Sequence, residues 1–98
     1  MSAPATGGAS IDTLRRKLLF RAWHRGTREM DLLLGRYAEA SLAAMDSAAL
    51  TEFEQLLEAP DPELFAWLTE ARPLPANFDT PSYRALKAFH THGRPLHA

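Results

Sequence analysis

The chain has 98 residues, no cysteine and a formal net charge of −1, with 46% hydrophobic and 23% charged residues. These values are typical of one small globular domain, and the missing cysteines exclude a disulfide framework, a thiolate metal site and a cysteine nucleophile. No segment has the roughly 20 consecutive apolar residues of a membrane span, so we expect no membrane insertion.

The first segment, residues 1–9, is built mainly from Ala, Gly, Pro and Thr and contains no Lys or Arg. It lacks the charged and apolar regions of a signal peptide and the arginines of a transit peptide. We expect a disordered N-terminal tail at residues 1–9, one helical domain at residues 10–93 and a short C-terminal tail at residues 94–98. Bacterial cytoplasm is the simplest location for such a chain, since small secreted domains often depend on disulfides.

Helical periodicity begins after this tail, and no alternating strand pattern interrupts it. The first helix is predicted from Ile11 to Trp23 with Ser10 as its N-cap, and the second from Thr27, its N-cap, to Ala44. Gly35 inside the second helix costs about 1 kcal/mol relative to alanine, which we interpret as a mark of close contact with another helix. Trp23 fits either a core position or an exposed anchor.

Three shorter helices complete the chain. The third is predicted from its N-cap Asp46 to Glu58, and the fourth from Pro62 to Glu70, with Asp61 as a capping carboxylate before a proline at the first helical position. The fifth starts with the same pattern at Thr80-Pro81 and ends at Gly93. The predicted fold class is therefore all-α, a compact bundle of about five short helices in a single domain.

Apolar residues at helical spacing supply the predicted core of this bundle. Leucine and aromatic side chains dominate it. The inward residues are Leu14, Leu18, Leu19, Ala22, Met30, Leu33, Leu34, Tyr37, Ala38, Ser41, Leu42, Leu50, Phe53, Leu56, Leu57, Leu64, Phe65, Trp67, Leu68, Tyr83, Leu86 and Phe89.

Charge is strongly segregated along the chain. Residues 10–30 carry six Lys and Arg against two acids, residues 31–70 carry one Arg against nine acids, and residues 71–98 carry four cations against one acid. A small protein with this polarity can orient itself on a charged partner.

The run Arg25-Gly26-Thr27-Arg28-Glu29 joins the first two helices and is the most informative candidate site. Gly26 has no Cβ, so another macromolecule's backbone can approach it closely. Arg25 and Arg28 can each offer planar, multi-donor contacts to carboxylate or phosphate oxygens, and Glu29 lies near a helix start, where negative charge is favoured. We predict that this bend is a partner-binding surface formed by His24, Arg25, Gly26, Arg28, Glu29 and Asp31.

Catalytic and metal sites are not indicated. The chain has four histidines, His24, His90, His92 and His97. His90 and His92 are two residues apart and point in different directions on a helix, and structural zinc normally needs four ligands, commonly with cysteine. No nucleophile elbow or glycine-rich phosphate loop is present. We therefore expect no enzyme, no catalytic residue, no metal and no stably bound cofactor.

A small nucleic-acid-binding or antitoxin-type regulatory protein is the alternative. Arginines on the first helix and a glycine turn fit a helix-turn-helix, in which the second helix would read the bases. After Arg28, however, that helix carries three acids against one arginine, and the phosphate backbone would repel it. We expect no nucleic-acid partner.

Two segments carry a resemblance to a known family. His24 to Asp31 contains an Arg-Gly-x-x-Glu signature followed by an apolar residue and Asp, and residues 56–68 contain Leu-Leu-Glu, Asp-Pro, Leu-Phe and Trp-Leu pairs. Together they resemble the succinate dehydrogenase assembly factor family, called SdhE in bacteria and also labelled the antitoxin CptB, with a mitochondrial counterpart. The similarity spans about residues 11–93, and the family's signature residues fall on Arg25, Gly26 and Glu29.

The resemblance implies a five-helix bundle that acts as a chaperone. Its implied partner is the flavoprotein subunit of succinate dehydrogenase, and in some bacteria that of fumarate reductase. The implied role is to promote covalent attachment of FAD to a histidine of this client, so that FAD belongs to the client. We expect the free protein to be a monomer.

Overall fold

The computed structural model of the chain describes the backbone of residues 7–92 and the side chains of residues 11–91. This part of the chain contains no strand and folds into five α-helices, which confirms the predicted all-α bundle. The helices are α1 (Gly7–Trp23), α2 (Arg28–Ser41), α3 (Ser47–Leu56), α4 (Asp61–Leu68) and α5 (Pro81–His92). None of the helices described is both long enough and apolar enough to cross a bilayer.

The predicted start of the first helix was wrong. Helix α1 begins at Gly7, so Ser10 lies inside the helix and is not its N-cap. A capping residue favours a helix start without enforcing one. Residues 7–14 contain no proline, which would remove a backbone hydrogen-bond donor from the first turns. The remainder of the predicted N-terminal tail, residues 1–6, and the predicted tail at residues 94–98 lie outside the described residues.

Side-chain caps set the starts of the two helices that face each other across the core. The Asp46 carboxylate accepts a hydrogen bond from the Ala49 N–H at 2.9 Å, and the Thr80 hydroxyl accepts one from the Tyr83 N–H at 3.1 Å. Both predicted caps are confirmed. In addition, Glu52 of α3 accepts a 2.7 Å hydrogen bond from the Ser82 N–H. A carboxylate at a helix N-terminus is favourable, so this contact joins α3 to the start of α5.

The apolar faces of all five helices pack into one core, largely as their spacing predicts. Phe89 of α5 is half-buried and meets Tyr37 of α2 edge to face, with 5.6 Å between ring centroids. Leu14, Phe65 and Leu68 are only partly buried, but they pack against this core. The largest fully buried side chains are Leu18, Leu34, Leu50, Phe53, Leu56, Leu64 and Leu86.

Helices α1 and α2 pack most closely at Gly35. A Cβ built on Gly35 would clash with the indole carbons of Trp23, so the glycine provides the space in which the ring lies. The indole Nε1 donates to the Glu39 carboxylate at 3.2 Å. The predicted close contact at Gly35 is confirmed, and Trp23 is a packing residue. Because Trp23 ends α1, this contact also determines where the chain enters the bend.

His90 joins α5 to α2 and is expected to make stability depend on pH. Its Nε2 donates to the Leu33 carbonyl at 2.7 Å. Burial lowers the pKa of His90 below its ordinary value of 6.5, and the nearby Arg36 charge acts in the same direction, while the hydrogen bond to Leu33 opposes both. The unfolded chain therefore binds a proton more readily than the folded one. The stability that depends on neutral His90 is complete above the ordinary pKa and is lost as pH falls through the folded pKa.

We expect the difference in unfolding free energy between the wild type and His90→Gln to decrease as the pH is lowered from neutral to about 5. Urea denaturation of both proteins across this range measures that difference. Glutamine is the matched variant because it keeps a donor for the Leu33 carbonyl and cannot titrate. A difference that stays constant with pH would contradict the assignment.

Candidate functional site

The bend between α1 and α2 is open at Gly26. Gly26 has φ of +113°, a conformation that residues with a side chain rarely adopt. The residue is exposed, and a Cβ built on it would meet nothing within 4 Å. The open backbone position that the sequence predicts is confirmed. The positive φ adds a second reason for glycine, which the sequence did not reveal.

Asp31 and Thr27 fix the bend to the first turn of α2. One oxygen of the Asp31 carboxylate accepts hydrogen bonds from the backbone N–H groups of Arg25 and Gly26, at 2.6 and 3.2 Å. The Thr27 hydroxyl accepts from the Met30 N–H at 3.3 Å, which confirms Thr27 as the N-cap of α2. The exposed backbone at Gly26 is thus held in one conformation by the chain itself.

The Arg25 side chain points inward and holds the connection between α3 and α4. Its Nε and Nη2 bind the Asp61 carboxylate at 2.8 and 2.7 Å. Its Nη1 and Nη2 donate to the carbonyls of Leu57 and Ala59, both at 2.7 Å, and only 10% of the side chain is exposed. These carbonyls follow the last turn of α3, where backbone acceptors lack helical partners and a cation is favoured. The docking role predicted for Arg25 stays a prediction; these contacts establish an internal one.

The prediction that Asp61 caps α4 was wrong. Helix α4 begins at Asp61, its N-cap position is Pro60, and no side chain caps it. Asp61 instead forms a charge-assisted ion pair with Arg25. The two residues are 36 positions apart, so no local pattern pointed to the pair. The pair unites the bend and the start of α4, the two segments on which the family resemblance depends.

The six basic residues of α1 and the bend divide into two groups. Arg15 donates to the carbonyls of Leu42 and Met45 at 3.0 and 2.8 Å, and Arg21 pairs with two glutamates at the end of α3 and just beyond it. With Arg25, they hold α1 against the remainder of the bundle. The other three are exposed and form no hydrogen bond or ion pair within residues 11–91: Arg16, Lys17 and Arg28.

Two further residues of the predicted surface face solvent. Glu29, beside Arg28 in the first turn of α2, is exposed and has no hydrogen-bond or ion-pair partner in the described part of the chain. His24 is exposed, donates through Nδ1 to the Phe20 carbonyl at 2.7 Å, and stacks on the Phe20 ring with 3.9 Å between centroids. The structure therefore brings His24, Gly26 and Arg28 to one exposed surface, and exposed Glu29 follows Arg28 at the start of α2.

Phe20 belongs to this surface, and the sequence analysis missed it. Its side chain is 62% exposed, and it is the one large exposed hydrophobic residue among those described. Helical spacing could have found it, because Phe20 lies opposite the Leu14, Leu18 and Ala22 face of α1.

Two open grooves flank His24. The first is lined by Trp23, His24, Gly26, Thr27, Arg28, Asp31 and Leu32. The second is lined by Phe20, Arg21, His24, Arg25, Asp61 and Pro62. Within residues 11–91, no group of three His, Asp or Glu side chains gathers where it could hold a metal ion. A fixed backbone with exposed donors, an acceptor and an aromatic ring is suited to binding the surface of another protein.

Two comparisons with known proteins indicate the same family. The sequence profile of a family described as "Flavinator of succinate dehydrogenase" matches residues 16–90. The chain is 44% identical over 88 residues to the FAD assembly factor SdhE of Acetobacter pasteurianus, covering 87% of this chain and 81% of that protein.

Mitochondrial proteins show the same similarity over a smaller share of their length. The chain is 36% identical over 72 residues to succinate dehydrogenase assembly factor 2 of Dictyostelium discoideum, covering 74% of this chain and 51% of that protein. It is 36% identical over 78 residues to the protein of the same name from Mycosarcoma maydis, covering 80% of this chain and 33% of that protein. The chain therefore spans about half or less of these two relatives.

Proposed function

The chain belongs to the family of flavinators of succinate dehydrogenase, and from this premise we propose that it binds the flavoprotein subunit of succinate dehydrogenase and promotes covalent FAD attachment there. The family resemblance of the two sequence segments is confirmed by the match, and the nucleic-acid alternative is not favoured. The observation that carries the proposal is the bend: an exposed backbone at Gly26, fixed from within and flanked by exposed charged side chains.

The contacts of the bend support two kinds of role. Arg25 and Asp31 keep the backbone in place, and we assign partner contact to the side chains that face solvent. Arg28 would donate to carboxylate or carbonyl oxygens of the client, and Glu29 would accept hydrogen bonds from it. The client's backbone would approach Gly26, where no Cβ stands in the way.

The proposed mechanism is that of a chaperone and assigns no catalytic step to this chain. The bond-forming chemistry belongs to the client and its FAD. A partner shifts the client between two arrangements only by binding one of them more tightly. We propose that this surface prefers the arrangement in which the client's flavin and acceptor histidine are well positioned. We further propose that the factor is a monomer in bacterial cytoplasm when free and that FAD stays with the client.

Glu29→Ala tests this function. In a bacterial strain that lacks its own factor, the wild-type chain should restore covalent flavin on the flavoprotein, measured by fluorescence in denaturing gels. We expect Glu29→Ala to bind the client about tenfold more weakly and to restore less flavin, because a hydrogen bond to a charged group contributes about 1.5–3 kcal/mol.

Glu63→Ala is the matched control. Glu63 is also an exposed acid in the first turn of a helix and has no ion-pair partner within residues 11–91. The control should restore flavin as the wild type does. Full labelling with Glu29→Ala would remove Glu29 from the proposed site, and failure of the wild-type chain to restore any flavin would overturn the function.

A further inference from the structure

Helix α1 carries an exposed stripe that leads into the bend. Arg16, Lys17 and Phe20 are all exposed. Arg16 and Lys17 lie four and three positions before Phe20, and exposed His24 lies four positions after it, just beyond the helix end. This spacing puts them on one side of α1, opposite buried Leu18. We refer to Arg16, Lys17, Phe20 and His24 as the α1 stripe.

Phe20 is held outward at the centre of the stripe. The His24 ring covers one side of it at 3.9 Å with 19° between the ring planes, and the hydrogen bond from His24 to the Phe20 carbonyl fixes the covering ring. An aromatic side chain that is already ordered loses little conformational entropy on binding. Exposed aromatic rings of this kind are frequent anchors at the centres of protein interfaces.

The charges beside Phe20 are of one sign. Arg16 and Lys17 lie one helical turn before it and have no partner within residues 11–91. Their neighbours Arg15 and Arg21 are neutralised by acids of the chain, so they add little to the field of the stripe. The result is an apolar anchor beside two unpaired cations, which is complementary to an apolar recess with carboxylates at its margin.

We propose that the α1 stripe extends the docking surface of the bend and binds an acidic face of the client flavoprotein, with Phe20 entering an apolar recess. This inference rests on the proposed function. His24 lines both grooves, so stripe and bend are continuous. Exposed Glu29, which follows Arg28 at the start of α2, has no ion-pair partner within residues 11–91 and would repel a phosphate backbone, which favours a protein partner over a nucleic acid.

The test is a titration of the purified factor with the flavoprotein subunit of succinate dehydrogenase at low and high salt, about 50 and 300 mM NaCl. The variants are Arg16→Glu with Lys17→Glu, and Phe20→Ala alone. The control, Arg72→Glu, reverses an exposed arginine in the C-terminal part of the chain that has no ion-pair partner within residues 11–91. Circular dichroism and melting of each variant should match those of the wild type.

We expect the double reversal on α1 to raise Kd about tenfold at low salt and to flatten its salt dependence, since it removes two charge contacts. Phe20→Ala should raise Kd about tenfold with the salt dependence unchanged, because an apolar contact is lost. The control should stay within about twofold of the wild type.

Three outcomes would overturn the inference. If both α1 variants bind like the wild type while Glu29→Ala is weakened, the stripe is outside the interface and the proposed function stands. If the wild type does not bind the flavoprotein, the proposed function fails together with the inference. If the wild type shifts labelled duplex DNA and the double reversal abolishes that shift, the stripe is a nucleic-acid site instead.

Discussion

Arg25→Ala is expected to lower the free energy of unfolding by about 3 kcal/mol. The variant leaves the Asp61 carboxylate without its partner, and that side chain is only 20% exposed. It also removes both donors from the carbonyls of Leu57 and Ala59. Breaking a buried ion pair is costly because the remaining charge stays desolvated. Urea denaturation at neutral pH measures the loss.

Arg28→Ala is the control for this experiment. Arg28 is three residues away and exposed, and it forms no ion pair in the described part of the chain, so its removal should change stability by about 0.5 kcal/mol or less. Equal stability of the wild type and Arg25→Ala, with client binding lost, would instead show that Arg25 contacts the client directly. Arg25→Lys should recover little, because an ammonium group cannot reach Asp61 and two carbonyls with a planar fork.

Gly35→Ala is expected to destabilise the protein by about 2 kcal/mol, although alanine favours a helix. The added Cβ would clash with the Trp23 ring, which must move off α2 and lose its hydrogen bond to Glu39. The indole ring should then be more exposed to solvent. Urea denaturation measures the energy, and a red shift of tryptophan fluorescence in the folded state reports the displacement.

Repeating Gly35→Ala in a chain that carries Trp23→Ala tests whether the indole ring causes this destabilisation. In a chain that already carries Trp23→Ala, no ring remains to be displaced, and Gly35→Ala should stabilise the protein by about 1 kcal/mol through helix propensity. If the change in unfolding free energy reverses its sign, the indole ring causes the destabilisation by Gly35→Ala. Destabilisation of the same size in both backgrounds would contradict the proposed packing.

Gly26 itself is a poor position for testing the docking surface. Its φ of +113° would strain any residue with a side chain, so a bulky substitution would perturb the bend as well as block a partner. Glu29 and Phe20 are better probes, because both lie on regular helix and are exposed. A loss of binding at these positions reports the surface and leaves the backbone of the bend unchanged.

Local sequence patterns predicted the helices, most of the core and the exposed bend. These features depend on interactions over a few residues: apolar spacing, caps such as Asp46 and Thr80, and the freedom of Gly26. The same local reasoning failed at Ser10, where a good N-cap lies inside α1. It also failed at Asp61, a residue type that commonly caps helices, because Asp61 pairs with Arg25 instead of capping α4.

Which charges hold the fold and which can contact a partner depends on how the helices pack in three dimensions. Arg25 and Arg28 look equivalent in the sequence, yet one is bound to a loop more than 30 residues away and the other is exposed. The physical reason is that an ion pair or a ring packed on a glycine depends on which distant segments the folded core brings together. Local patterns carry no information about those distances, so the roles of Arg25, Asp61 and Trp23 could be read only from the packed bundle.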